Sequence, residues 1–267
     1  ANPHPIRTLY IGGGTPTTLS ARQLEWLLDT LRRELDLSEC LELTVEAGRP
    51  DTLDREKLQI LRDHGATRIS INPQTMDDRV LAIMGRSHTS ADILRAYEEA
   101  LAVGHRDINM DLIAGLPGDT PEGFRRTLEK VLSLAPTSIT VHTLALKKAA
   151  ALYYEKRATL PQAPWVEEML TWGNAALRAA GYGPYYLYRQ KYMTGSFENV
   201  GWCRHGYENL YNIYMMEELH SILSLGAGAM TKRVSGGTIT RLSNPKYPQE
   251  YLRDIEAIAR KKREVIL

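Results

Sequence analysis

Up to about residue 145 the apolar positions alternate between two rhythms. Short apolar runs of strand type stand at 7–13 (RTLYIGG), 41–48 (LELTVEAG), 67–74 (TRISINPQ), 107–117 (DINMDLIAGLP) and 138–146 (SITVHTLAL). Between them, apolar residues recur at helical spacing. Leu24, Leu27, Leu28, Leu31 and Leu35 follow the first run, Leu58 and Leu61 the second, and Ile93, Leu94, Tyr97 and Leu101 the third. The punctuation agrees. Ser20 with Gln23 three residues on reads as a capping box, Gly65 and Gly104 stand where helices end in the left-handed region, and Thr120-Pro121 opens a helix. Such strand–helix units, repeating every ~30 residues, predict a parallel sheet in a βα barrel or a doubly wound fold.

From Lys147 the rhythm stops. The stretch to about residue 164 reads as a linker or irregular excursion, a helix pattern follows at roughly 165–180, and 224–233 is a second glycine-rich turn. Twelve of the 14 tyrosines lie beyond residue 150. This shift places a domain boundary near 150, giving a first domain of 1–150 and a second region of 151–267. The tail from Tyr247 reads as a surface helix with basic residues near its end, as the helix dipole favours.

Charge changes the picture little. There are 33 basic and 32 acidic residues, a net charge of +1. That balance argues against nucleic acid or a membrane surface as the main partner. No run is long and apolar enough to span a bilayer. Two cysteines, Cys40 and Cys203, make no disulfide framework and suit a cytoplasmic protein.

In both candidate architectures the ligand lies at the carboxyl ends of the strands, and the unusual residues collect there: Gly12 to Thr15, Glu46, Gln74 and Asp111. The glycine loop is either a tight βα turn or a ligand site built from free backbone groups. It matches neither the dinucleotide nor the P-loop spacing. Glu46 and Asp111 interrupt apolar strands, where a charge needs a partner or an exposed strand end. Three polar groups at equivalent ends of three strands would line one mouth. Arg86, after a short helix, either adds positive charge to that mouth or lies on the surface. The histidines have no metal-ligand spacing. His142 reads as a core histidine or as one pointing into the barrel. Cys203 is a lone thiol, structural or activated by its basic neighbours.

Taken in order, GGGTPT (12–17), VEAGRPDT (45–52), RISINPQTM (68–76), MGRSHT (84–89) and NMDLIAGLPG (109–118) resemble the radical S-adenosylmethionine (SAM) enzymes of the oxygen-independent coproporphyrinogen III oxidase group. TVHTLALK (140–147) and LGAGAMTK (225–232) extend the likeness more weakly, and the wording is nearest the coproporphyrinogen dehydrogenase (HemZ-type) branch. The resemblance implies an α/β fold, a partial (β/α)6 barrel without its first strand, with a smaller C-terminal α+β region. It implies SAM contacts from Gly13, Gly14 and Thr15 to the methionyl ammonium, with Glu46 in the same polar shell. Arg86 would meet the carboxylate, Gln74 and Asp111 the ribose, and Ala145 would offer backbone contact near the adenosine. Met230 matches a contact to a second SAM.

The resemblance also implies a four-iron four-sulfur cluster on a CxxxCxxC motif, several tens of residues before GGGTPT. This sequence has no such motif. The expectation is a chain that starts inside the barrel, or a relative that lost the cluster, the former preferred, and in either case one inactive as it stands. For the intact protein the resemblance implies oxidative decarboxylation of coproporphyrinogen III propionates to vinyls, with an electron donor as further partner. The propionates would meet cations such as Lys147, Lys148, Arg189, Lys191 or Lys232, if these are not simply solvated. A haem-binding chaperone on the same scaffold, or a radical SAM enzyme with another substrate, are the alternatives.

Overall fold

The computed structural model describes residues 5–144, 160–188 and 197–266. It divides into two compact units, 1–209 and 210–267. The division therefore falls after Asn209 and not at 150, where the tyrosine content changes. The reason is that chain from beyond residue 160 completes the first unit's sheet.

That sheet is built from β1 (Thr8–Ile11), β2 (Glu42–Gly48), β3 (Arg68–Ile71), β4 (Asp107–Ala114) and β5 (Ser138–Thr143), all parallel and in chain order. Two further strands, β6 (Gly183–Tyr188) and β7 (Asn199–Cys203), join antiparallel at the β5 side, so the order is β1-β2-β3-β4-β5-β7-β6. The sheet is a curled half-barrel, as the motifs implied. The aromatic stretch beyond 180, which gave no strand signal, supplies these two closing strands among its described residues. The alternation of β6 is masked because both of its faces carry tyrosine.

Helices α1 (Ala21–Glu34), α2 (Arg55–Asp63), α3 (Asp78–Ile83), α4 (Ser90–Val103) and α5 (Pro121–Leu134) fill the crossovers, and α6 (Ala163–Ala179) packs on α5. The predicted Ser20–Gln23 capping box is formed. α4 starts one turn earlier than its apolar stripe suggests, on a second capping box between Thr89 and Asp92. Gly65 and Gly104 have φ of 74° and 103°. Each helix presents its apolar stripe to one face of the sheet. Leu24 and Leu28, Leu58 and Leu61, and Phe124, Leu128 and Val131 are all buried against Val45, Ile69, Ile108, Met110 and Ile139. Each such side chain contributes about 1.5–3 kcal/mol on leaving water.

The other face is polar. Parallel strands covered on both sides usually read as continuous apolar runs, yet here the alternation is strict. Thr44 and Glu46, Arg68 and Ser70, Asp107, Asn109 and Asp111, and Ser138, Thr140 and His142 share the inner face. The register confirms it: Thr44 stands beside Arg68, Arg68 beside Asp107, Asn109 beside Ser138, and Asp111 beside Thr140. Deep on this face Arg68 and Asp107 form an ion pair at 2.9 Å, with the guanidinium also donating to Ser138 and to the Tyr207 carbonyl.

The second unit holds α7 (Leu210–Met216), the hairpin β8 (Met230–Ser235) and β9 (Thr238–Ser243), α8 (Pro248–Arg253) and α9 (Ile255–Ile266). Gly236 and Gly237, both at positive φ, make its two-residue turn. The tail is thus two helices, broken at Asp254. Among the described residues no helix is long and apolar enough to cross a membrane.

Candidate functional site

The glycine loop after β1, Glu46 of β2, Gln74 beyond β3 and Asp111 of β4 stand towards the carboxyl ends of successive strands of the first unit. The glycine loop follows β1, and Glu46 reaches it from the next strand. Its carboxylate accepts the Tyr10 hydroxyl and, at 3.2 Å, the Gly13 N–H. A side chain on Gly12 would stand 2.6–2.8 Å from Tyr10 and the Glu46 carboxyl group, so it would have to displace the Tyr10–Glu46 pair. Gly13 turns the chain at φ 90°. Gly13 and Gly14 are exposed, with nothing within 4 Å of where a side chain would begin. The Thr15 carbonyl differs from the expectation. It already accepts the N–H and hydroxyl of Thr18, at 3.0 and 2.8 Å, whereas the Gly13 and Gly14 carbonyls have no partner among the described residues.

Gln74 and Asp111 are joined directly. Beyond the end of β3, Gln74 takes up φ 64°, rare for a residue with a side chain. Its N–H donates to the Asp111 carbonyl at 2.9 Å and its own carbonyl accepts from Ile113 at 3.0 Å. The strained residue is thus held by β4. Its side-chain oxygen, like that of Asn72 two residues earlier, is buried without a hydrogen-bond partner among the described residues. Unpaired buried oxygens are uncommon and cost about 1–3 kcal/mol each. They are what a ligand's hydroxyls or amine would satisfy.

The Asp111 carboxylate accepts from the Asn109 amide at 2.7 Å and faces His142 Nε2 at 3.6 Å. Burial pushes its pKa up, but His142, Asn109 and the Thr140 hydroxyl together outweigh burial and hold it below the ordinary carboxylate value. His142 is therefore no core histidine. Its side chain is about one-quarter exposed on the polar face, and its Nδ1 meets the Tyr188 hydroxyl at 3.2 Å. The signal that would have found it is the alternation SITVHT, which puts Ser138, Thr140 and His142 on one face.

Arg86 lies in the α3–α4 loop, partly buried, with no ion-pair partner for its guanidinium among the described residues. The loop itself is pinned to the end of β2. Asp51 accepts from Arg49 Nε at 3.1 Å and from the Ser87 hydroxyl at 2.9 Å, and lies 3.7 Å from His88 Nδ1. The Arg49 bonds hold Asp51 down to about 2. His88 is buried with neither ring nitrogen hydrogen-bonded among the described residues, and that burial lowers its pKa.

Ala145 lies outside the described residues, as do Lys147, Lys148, Arg189 and Lys191. Met230 opens β8 of the second unit and is about half exposed. Lys232 is neither solvated nor free: it is buried, donating to the Met215 carbonyl at 2.9 Å and to Glu218 at 3.2 Å.

The cysteines do not fit an iron–sulfur ligand set, which needs clustered thiolates. Cys40 is raised in pKa by burial and donates to the Glu42 carbonyl, and Cys203 sits in β7, where burial pushes it up to about 12. Among the described residues no three His, Cys, Asp or Glu side chains group as metal ligands.

Known proteins resemble this chain in sequence and in fold. Residues 1–131 match the radical SAM superfamily. The chain is 41% identical over 250 residues to the oxygen-independent coproporphyrinogen-III oxidase-like protein HemZ of Bacillus subtilis (strain 168), covering 92% of this chain and 50% of the relative. It is 31% identical to the heme chaperone HemW of Haemophilus influenzae, covering 93% and 61%. The fold matches the coproporphyrinogen III oxidase HemN of Escherichia coli with a TM-score of 0.75 at 24% identity, covering 95% of this chain and 58% of that one. The chain thus spans about half to three-fifths of the length of these relatives. With its half-barrel, its glycine loop and its ordered strand-end residues, the chain belongs to the radical SAM superfamily.

Proposed function

We propose that the mouth of the first unit binds S-adenosylmethionine, and that the whole protein uses it to convert coproporphyrinogen III propionates to vinyls, towards protoporphyrinogen IX. The observation that carries the cofactor reading is a set of groups without a partner among the described residues: the Gly13 and Gly14 carbonyls and the buried Gln74 oxygen, near strand ends that also carry two carboxylates, with the Arg86 guanidinium on the α3–α4 loop.

The chemistry of that set fits the ligand. The loop carbonyls accept from the methionyl ammonium. Arg86 pairs with the methionyl carboxylate, for which a planar guanidinium is suited. Gln74 and Asp111 take the ribose hydroxyls, and Ala145 offers its backbone to the adenosine. Glu46 holds the loop through Gly13 and offsets the positive sulfonium. Bound SAM supplies the one-electron, hydrogen-abstracting chemistry of the superfamily; the residues of this chain orient it and keep water away. Met230 is assigned to a second SAM on sequence likeness alone. A reducing cluster and an electron donor complete the reaction, and no residue of this chain is assigned to hold the cluster.

The tetrapyrrole substrate rests on the 41% identity to the HemZ-like relative. A second reading, a haem carrier, has the HemW likeness in its favour. One experiment separates them. The whole gene product is reconstituted anaerobically with iron and sulfide and given SAM, a reductant and coproporphyrinogen III, and the tetrapyrroles are separated by chromatography. Protoporphyrinogen with 5′-deoxyadenosine supports the oxidase. An untouched tetrapyrrole together with tight haem binding supports the carrier.

A further inference from the structure

His142 stands beside Asp111 on the polar face, and the proposed function gives it no task. Its imidazole stands between a carboxylate and a phenol, with Asp111 Oδ2 3.6 Å from Nε2 and the Tyr188 hydroxyl 3.2 Å from Nδ1. Tyr188 meets the imidazole edge-on, with centroids 6.3 Å apart at 68°. Tyr186 lies parallel to Tyr188 at 6.3 Å and is seated on Gly201 of β7, where any side chain would overlap its ring. The aromatic strand β6 therefore fixes where Tyr188 stands, and Tyr188 fixes the imidazole.

A neutral imidazole has one donor and one acceptor nitrogen. An ionised carboxylate only accepts, so the form that satisfies both neighbours has Nε2–H facing Asp111 and Nδ1 accepting from Tyr188. At 3.6 Å the first contact is electrostatic rather than a tight hydrogen bond. On its other side the same carboxylate is held by the Asn109 amide at 2.7 Å. Asp111 is thus braced from both flanks by side chains of β4 and β5, with about one-fifth of its side-chain surface open.

We infer that His142, braced by Tyr188, is a positioning residue that fixes the Asp111 carboxylate in the orientation that meets the vicinal hydroxyls of a ribose. The inference rests on the SAM reading of this mouth and adds to it the residue that sets its preference for a ribonucleoside. His142 itself contacts no ligand atom in this account.

The test uses calorimetry with three probes: SAM, 5′-methylthioadenosine, and the 2′,3′-dideoxy form of the latter. In the unchanged chain, removing the two hydroxyls should weaken binding roughly ten- to a hundredfold, the worth of charge-assisted hydrogen bonds. In His142→Ala that difference should shrink to within about threefold, because affinity for the hydroxylated probes falls while that for the dideoxy probe stays. His142→Gln, whose amide can donate to Asp111, should restore part of it. Tyr188→Phe should lie between. If His142→Ala keeps the full hydroxyl dependence, or weakens all three probes equally, the positioning role is overturned. If the unchanged chain binds neither SAM nor 5′-methylthioadenosine, the SAM reading fails and this inference falls with it.

Discussion

A side chain built on Gly12 would stand 2.7 Å from the carboxyl carbon of Glu46. The three glycines of the loop thus have three different reasons. Gly12 makes room for a carboxylate, Gly13 makes the turn, and Gly14 meets no steric limit in the free protein. Gly12→Ala should cost about 1–3 kcal/mol through overpacking. Gly14→Ala should stay within about 0.5 kcal/mol of the parent. Urea unfolding ranks them. The same Gly14→Ala protein should bind SAM more weakly, because a methyl group there keeps the ligand from the backbone. A Gly12→Ala protein as stable as the parent would contradict the packing described for the loop.

Among the described residues Arg86 has no carboxylate partner, and its loop is held from outside by Asp51. Arg86→Met should therefore leave the unfolding midpoint unchanged and weaken SAM binding by roughly ten- to a hundredfold, the loss of a charge-assisted pair. Arg86→Lys should recover only part, since an ammonium cannot grip a carboxylate with two parallel bonds. Loss of stability without loss of binding would return Arg86 to the role of a surface residue.

The loop's anchor is sensitive to pH in two separate windows. Burial lowers the His88 pKa in the folded state. As pH falls through about 6.5 the unfolded chain takes up a proton that the folded chain resists, so stability declines. Asp51, held down to about 2 chiefly by its bonds to Arg49, contributes stability that is present above about pH 4 and lost as pH falls towards 2. His88→Gln should flatten the upper window and leave the lower one intact. Unfolding midpoints from pH 8 to pH 5 for both proteins check this; parallel curves would show that His88 does not set the slope.

Inside the half-barrel, buried Arg68 is paired with Asp107, whose side chain keeps about one-fifth of its surface exposed. Removing one partner leaves a buried charge, at a cost of about 3–5 kcal/mol. Arg68→Met should show that loss, and the double change Arg68→Met with Asp107→Leu should recover much of it. A double variant no better than the single one would mean that the guanidinium's bonds to Ser138 and the Tyr207 carbonyl matter more than the ion pair.

Much of this was legible in the sequence where a local rule governs. The capping box at Ser20, the positive φ at Gly104 and the ordered strand ends with Glu46, Gln74 and Asp111 follow from short-range chemistry. What was not legible depends on distant partners. The Thr15 carbonyl is turned inward by Thr18, only three residues away but in a turn that spacing does not reveal. The alternation of SITVHT puts His142 on the polar face, but that Asp111 and Tyr188 flank it there depends on two other strands. Strand β6 carries tyrosines on both faces and β7 interrupts its apolar run with Gly201, so no alternation announced them, and the compositional shift at 150 pointed to a boundary that the sheet runs across. Lys232 looked like a free cation until Glu218 closed over it.

The most direct test of the central claim is SAM binding to this chain by equilibrium dialysis, with Arg86→Met and Gln74→Ala alongside. The account predicts saturable binding that both changes weaken while circular dichroism stays unaltered. A folded chain that takes up no SAM, or binds it equally well in all three forms, would contradict the assignment of this mouth.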